Sequence, residues 1–392
     1  MTSKKPNGSR PTAVGLFAGI GGLERGLMRA GCEAELLSEI DRAAARVLRE
    51  RFPEVALVGD IREISALPET DLVCGGFPCQ DLSQAGRTAG ITGTRSGLVG
   101  EVFRLISQGR GPRWLLLENV PFMLQLERGR AMRYLTDALG GLGYAWAYRL
   151  VDARAFGLPQ RRQRVILLAS RTEDPRPALL SQEVGELKRE MRQETACGFY
   201  WTEGIKGLGW AVDAVPTLKG GSTIGIPSPP AIWMADGSIV TPDIRDAERL
   251  QGFPANWTLP SVDDAKRKNG PRWKLVGNAV SVPVAAWVGE RLWTNDSTHI
   301  GEGDVVDRGD RWPVAAWGYE EKAFRADVSP WPVRRPYKPL AEFLKYPTSL
   351  LSARAAAGFL SRAGRGTLRF PEGFLEDVSL HLERMRDGSA AA

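Results

Sequence analysis

Histidine, cysteine and long apolar runs are all scarce in this chain of 392 residues. Only two histidines, His299 and His381, are present, and the four cysteines, Cys32, Cys74, Cys79 and Cys197, stand at scattered spacings. Such spacings make neither a disulfide framework nor a zinc knot, so no metal is expected and catalysis must run on Cys, Glu, Asp or Arg. No stretch of about 18 apolar residues is available to cross a bilayer. The opening Met1-Thr2-Ser3-Lys4-Lys5-Pro6 lacks the apolar core of a signal peptide. These absences point to a cytoplasmic protein without a membrane partner. No fixed-period repeat is visible.

What is present is a hydrophobic fraction of 43%, enough for a real core, in a length that suggests two or three domains. A net charge of +6 and a pI of about 9.2 are compatible with a nucleic-acid partner, although many basic proteins bind none. The distribution says more. From Trp331 to Phe370 eight Lys/Arg (Arg334, Arg335, Lys338, Lys345, Arg354, Arg362, Arg365 and Arg369) stand against one acid, Glu342, a local excess of +7.

The chain is organised around Gly75-Gly76-Phe77-Pro78-Cys79-Gln80-Asp81-Leu82-Ser83. Asp71-Leu72-Val73-Cys74 reads as a short apolar strand that the glycines and proline stop in a tight loop. Loops at the carboxyl ends of buried strands are where open α/β sheets place their chemistry. A thiol there, partly exposed and near amide N–H groups or cations, becomes a nucleophile; the duller reading is a structural cysteine in a turn.

Residues 1–10 read as disordered. Ala13 to Phe17 reads as a first strand, running into Phe17-Ala18-Gly19-Ile20-Gly21-Gly22 and a helix from Leu23. Strand, glycine turn and helix admit a nucleoside cofactor close to backbone N–H groups, and equally serve helix packing. Strands at 34–38 and 55–58 end in Glu39 and Asp60, two carboxylates suited to ribose hydroxyls or to helix N-caps. Gln80 to Arg95 has the length of a mobile active-site loop. Trp114-Leu115-Leu116-Leu117 runs into Glu118-Asn119-Val120-Pro121, a carboxylate at a strand end that solvation explains poorly. Strand 145–151 and a seventh strand after Gly157 follow, with Arg162 and Arg164 sharing a face of it, able to grip one anion or simply to form a basic surface cluster. The rhythm stops near Arg171. Residues 172–241 read as a small separate domain, 242–296 as the returning part of the α/β domain begun at 11–171, and 297–392 as a basic extension with an acidic, linker-like start.

Taken together, Phe17-Ala18-Gly19-Ile20-Gly21-Gly22, Gly76-Phe77-Pro78-Cys79-Gln80, Glu118-Asn119-Val120, Gln160-Arg161-Arg162-Gln163-Arg164 and Gly277-Asn278-Ala279-Val280 resemble, in order, the motif set of DNA (cytosine-5) methyltransferases across about residues 13–294. The resemblance implies a class I S-adenosylmethionine-dependent fold, Rossmann-like with a mixed seven-stranded sheet, and an inserted target-recognition domain. By the same resemblance Cys79 is the nucleophile, Glu118 the carboxyl that holds the base, and Arg162 and Arg164 its supports. Phe17, Gly19, Ile20, Gly21, Gly22, Glu39, Ile40, Asp60, Ile61, Gly76, Pro78, Leu98, Asn278 and Ala279 are the implied contacts of S-adenosylmethionine and its product S-adenosylhomocysteine. Gln80, Ser83, Arg95, Gln160, Thr217 and Leu218 are the implied contacts of double-stranded DNA. Two departures stand out: Gly15 replaces an acid usual before Leu-Phe-Ala-Gly, and Ile40 replaces an aromatic usual after Glu39.

The chemistry needs these residue types whatever the name. Carbon 5 of cytosine is a poor nucleophile until a thiolate adds at carbon 6 and turns the ring into an enamine. The base must leave the duplex, which costs a few kcal/mol. The family's usual setting, a restriction-modification or defence system in a prokaryote, with a cognate partner protein and a monomeric enzyme at the nucleoid, enters by resemblance alone. The rivals are an RNA (tRNA) cytosine methyltransferase, a catalytically silent DNA-binding module, and a nicotinamide-dependent dehydrogenase, the last disfavoured by the absence of a hydride-handling His or Tyr constellation.

Overall fold

The computed structural model describes residues 10–77, 97–109, 111–187, 189–220, 229–262, 269–294, 298–307 and 309–390. Residues 1–9 of the tail expected to be disordered at 1–10, the loop 80–95 with Gln80, Ser83 and Arg95, and Pro78 and Cys79 before it lie outside the described residues. The chain forms two compact units.

The first unit comprises residues up to 155, 163–186 and 280–334. Its strands are β1 (Thr12–Leu16), β2 (Glu33–Ser38), β3 (Ala56–Val58), β4 (Leu72–Gly75), β5 (Trp114–Asn119), β6 (Ala145–Asp152), β7 (Gln163–Ser170), β8 (Ala315–Tyr319) and β9 (Lys322–Arg325). They make one sheet in the order β9-β8-β6-β7-β5-β4-β1-β2-β3. The stretch from β3 to β5 is parallel, whereas β7, β6, β8 and β9 pair antiparallel. Strands buried on both faces read as continuous apolar runs, as β4 and β5 do. The chain leaves β1 for β2 on one side and has β4 on the other. The carboxyl ends of β1 and β4 therefore flank a topological switch point, the usual ligand position in such sheets.

Helix α1 (Gly22–Arg29) follows the glycine turn; α2 (Arg42–Arg51), capped by Asp41, follows β2; α3 (Leu98–Ile106) and α4 (Arg130–Gly141) complete the wound part. Helix α5 (Val282–Leu292), far along the chain, returns to pack on α1. The approach is possible because Gly26 presents no side chain to Ala285, nor Gly22 to the Val280 carbonyl. No helix among the described residues is long and apolar enough to cross a membrane.

Nine strands rather than the expected seven make this sheet, and the two extra come from the segment read as a separate extension. Strand β8 hydrogen bonds along the outer edge of β6 and covers an edge that would otherwise template association. Trp312, just before it, is buried against Trp146 and Tyr148. The acidic start of the extension thus leads into a core element.

The second unit comprises 156–162, 187–279 and 335–392. It holds a five-stranded sheet of short strands, in the order Ala211–Val212, Cys197–Phe199, Ala231–Trp233, Ile239–Thr241, Ser349–Leu350. The last strand and the helices Ala353–Ala363 and Phe374–Ala390 come from the extension, so the extension divides between the units near 334. Phe374, fully buried, packs against Phe199, Trp210, Trp233, Phe359 and Phe370. Emptying such a site costs about 3–5 kcal/mol. Phe374→Ala is expected to lower the urea midpoint of the full chain by a corresponding amount; an unchanged midpoint would show that the helix pair contributes nothing to this core.

Candidate active site

In the first unit, β4 and β5 end side by side, and their ends are tied together. Asn119 Nδ2 donates to the Phe77 carbonyl at 3.0 Å, while its Oδ1 accepts from Val120 N at 2.9 Å. Phe77 is the last described residue before Pro78 and Cys79, so the β5 end fixes the exit of the strand that leads to the thiol. Glu118, 8% exposed, is held by Arg164, whose Nε lies 2.8 Å from Oε1. Its Oε2 faces Gly76, where an added Cβ would lie 3.0 Å away. A carboxyl so restrained keeps one oxygen at the mouth of the Cys79 loop.

The two arginines predicted to share a strand face do not share a strand. Strand β7 begins at Gln163, and Arg162 lies in the break after the short strand Gln160–Arg161, so alternation along one strand does not apply to them. In the second unit the buried Arg162 guanidinium donates to the carbonyls of Leu218 (3.1 Å), Gly277 (3.2 Å) and Ala279 (2.6 Å). It clamps main chain. Gly220 and Gly277, bare of side chains, let 219–220 lie against 277–278, and Asn278 itself is exposed.

At the glycine turn, Phe17 is held at φ 54°, a sparsely populated region for a side-chain-bearing residue. A Cβ on Gly21 would strike the Phe52 ring, and one on Gly22 the Val280 carbonyl, so both glycines serve packing. Gly19, at φ 56°, has nothing within 4 Å of that position, which leaves its backbone open to a ligand. Glu39 ties the turn to β2: Oε2 accepts from Gly19 N at 2.8 Å and Oε1 from Asp41 N at 2.7 Å, and burial pushes its carboxyl up from the ordinary value. Ile40 beside it is 69% exposed, an apolar platform without protein cover. An open glycine, a carboxyl hydrogen bonded to that glycine and a bare aliphatic side chain fit an adenosine group.

Other expectations need correction. The Ile20 and Ile61 side chains are buried, leaving only their backbones for a ligand, and Leu98 packs on the core. Asp60 caps the short helix Ile61–Glu63 and hydrogen bonds Arg62, which lowers its carboxyl to about 2. Gln160, predicted on DNA, is fully buried, with its amide donating to the Leu250 carbonyl at 2.8 Å and accepting from Leu218 N at 3.0 Å. Leu218 lies in a hydrophobic cluster, and Thr217 Oγ1 donates to the Arg161 carbonyl at 2.8 Å. These side chains hold the loop; exposed Lys219 next to them, 2.7 Å from Glu203 and stacked over Tyr200, is its outward cation.

Sequence reasoning passed over Asn119's tie to Phe77 and over Glu24, a buried acid beneath the glycine turn. The signal for Glu24 was an acid in the first turn of the helix, directly after the glycines. The three described cysteines are all buried. Burial pushes Cys32 up to about 12 and Cys197 to about 11, and raises Cys74 as well, so none of them is a ready thiolate. No group of three or more His, Cys, Asp or Glu able to hold a metal is found among the described residues.

A family model described as C-5 cytosine-specific DNA methylase matches residues 12–202. The chain is 50% identical over 386 residues to the Type II methyltransferase M2.BsuMI of Bacillus subtilis (strain 168), which covers 95% of this chain and 98% of that protein. It is 32% identical to the Type II methyltransferase M1.ScrFI of Lactococcus lactis subsp. cremoris over 71% of this chain and 77% of that one. Among solved structures, that of Entamoeba histolytica methyltransferase EhMeth matches in fold with a TM-score of 0.50 at 15% identity, over 73% of this chain and 98% of that chain.

Proposed function

The chain belongs to the C-5 cytosine-specific DNA methylase family, and we propose that it methylates carbon 5 of a cytosine flipped out of a short specific duplex sequence, through a covalent adduct on Cys79. The relatives reported above are Type II methyltransferases, the matching family model is of C-5 cytosine-specific DNA methylases, and DNA cytosine-5 methylation in restriction-modification is the activity of this chain. The observation that carries the mechanism is the Glu118–Arg164 pair, with the free side of Glu118 turned to Gly76 at the entrance of the Cys79 loop.

S-adenosylmethionine, the methyl donor of this family, supplies an electrophilic methyl group on a sulfonium. Gly19, Glu39 and Ile40 in the first unit are the residues we assign to hold it. Cys79 as thiolate adds to carbon 6 of the base. The new S–C bond pushes electrons into the ring, so that carbon 5 would take the methyl as the sulfonium leaves as a neutral thioether; transfer of the carbon-5 proton to water would then expel the thiolate and restore the ring. Glu118 holds the base edge as charge shifts onto the ring, and Arg164 holds Glu118. Asn119 keeps the β4 exit in register. Arg162, within the second unit, joins the loop at 218 to the turn at 277–279.

Lys206, Lys219 and Arg365 are the phosphate contacts we assign to the second unit. Arg362 donates to the Trp201 and Glu203 carbonyls, and Gly366 lies against Gly204 and Ile205, which brings the basic end of the helix Ala353–Ala363 to the loop that also carries Lys206. Removing three phosphate contacts lowers the slope of log affinity against log salt by about 3 on duplex DNA. The triple alanine variant should show that loss while it melts like the wild type; an unchanged slope would discard the contacts.

Methyl transfer itself is tested by incubating the full chain with tritiated S-adenosylmethionine and either mixed-sequence duplex DNA or tRNA. Label is expected in the duplex. Label confined to tRNA would establish the RNA rival, and label in neither would favour the silent binder.

A further inference from the structure

Gly15 lies in the middle of β1, paired with Leu37 of β2 on one side and Cys74 of β4 on the other. A Cβ built there would overlap Oε1 of Glu24. Glu24 is the third residue of α1 and only 1% exposed; the Cys74 thiol donates to its Oε1 at 3.8 Å. Its Oε2 is buried with no hydrogen-bond partner among the described residues. The helix thus sends a carboxyl into the volume that a side chain on Gly15 would fill, beneath the turn 17–22.

A buried carboxyl with an unsatisfied oxygen costs free energy that an aliphatic side chain of similar size would not. Besides burial, the groups acting on Glu24 are its own backbone N–H and the thiol of Cys74 on β4, both of which lower it, and a second acid, Glu39, at the end of β2, which raises it. Helix α5 and its lead-in bring the Val280 carbonyl, Ala285 and Gly289 against α1, and the charged groups of α5 are Glu290 and Arg291 in its last turn. Burial first, and the nearby acid after it, raise the Glu24 carboxyl to about 7. Without a ligand it is poised to hold its proton, and a cation in the turn above would draw that proton off.

We propose that Glu24 is a positioning residue and counter-charge for the cofactor turn, delivering from α1 the carboxyl for which Gly15 leaves room and turning anionic when the positively charged methyl donor binds. The inference rests on the reading that the turn binds S-adenosylmethionine. It predicts that the donor, a sulfonium, is distinguished from the neutral thioether product by a proton-linked step. The ionised carboxyl favours the cation, so donor affinity rises as pH rises through about 7.

The test is titration calorimetry of the full chain with S-adenosylmethionine and S-adenosylhomocysteine at pH 6, 7 and 8, with melting curves alongside. Wild type is expected to bind the donor roughly tenfold more tightly at pH 8 than at pH 6 and the product less than about threefold more tightly. Glu24→Gln, with Glu39 intact, should flatten the donor's dependence. Gly15→Asp should lose donor binding, because two carboxyls then claim one buried place, and Gly15→Asp with Glu24→Ala should return to within about threefold of wild type. A Glu24→Gln variant that keeps the wild-type pH slope would overturn the proposal, as would a double variant that binds no better than Glu24→Ala. If the Asp or Ala variants fail to fold, the Gln variant decides alone. Wild type that binds no donor at any pH would instead defeat the underlying reading of the turn.

Discussion

Cys79→Ser is expected to reduce methyl transfer to duplex DNA by on the order of 10³-fold or more, equivalent to about 4 kcal/mol at the barrier, while leaving DNA affinity near that of wild type. The hydroxyl is a far weaker nucleophile than a thiolate, and without addition at carbon 6 the ring carbon has too little electron density to take the methyl. Tritium transfer and gel retardation on the same preparations check both halves. A variant with a substantial fraction of wild-type turnover would remove covalent catalysis, because no described cysteine can stand in: Cys32, Cys74 and Cys197 are buried, with thiols raised above their ordinary range.

The second large effect concerns the Glu118–Arg164 pair. Its side chains are 10% and 12% exposed, and removing one partner of so enclosed an ion pair leaves a charge without compensation, at a cost of about 3–5 kcal/mol. Arg164→Ala should therefore lower both stability and turnover. Glu118→Gln keeps the size and a hydrogen-bonding edge, and should lose turnover by roughly 10²-fold with a smaller loss of stability. A double-mutant cycle on kcat should show the two substitutions to be far from additive, since Arg164 acts through Glu118. Additive losses would mean that the arginine works on the base independently.

Much of the first unit was legible because its strands are short continuous apolar runs stopped by glycine, proline or a carboxylate. Leu72-Val73-Cys74 and Trp114-Leu115-Leu116-Leu117 could hardly be anything but buried strands, and the residues at their ends are those the site uses. What escaped depended on contacts far apart in sequence. Nothing local in Ala315-Ala316-Trp317-Gly318-Tyr319 announces that it will cover the edge of a strand about 170 residues earlier. The helix pair at 353–390 reads as basic from its surface and reveals its role only through Phe359 and Phe374, which complete an aromatic core begun at Phe199.

Motif residues misled in a consistent way. Gln160 and Leu218 were read as DNA contacts and Arg162 as a catalytic support; the side chains of Gln160 and Arg162 satisfy buried backbone, and that of Leu218 fills a core. A buried main-chain carbonyl must be paired, and a long guanidinium that reaches three of them is worth as much to a site as one that touches substrate. The Gly15 departure had the opposite fate. It looked like a missing acid, yet Glu24 lies in the space it frees.

The most direct measurement of the central claim captures the sulfur–carbon bond itself. In duplex DNA whose cytosines are replaced throughout by 5-fluorocytosine, the methylated adduct has no carbon-5 proton to lose, so elimination stalls and the bond persists. Incubation with S-adenosylmethionine, digestion and peptide mass spectrometry should find a methylated fluorocytosine joined to the peptide that spans Cys79. An adduct on any other residue, or none at all from a preparation that methylates ordinary DNA, would contradict the account.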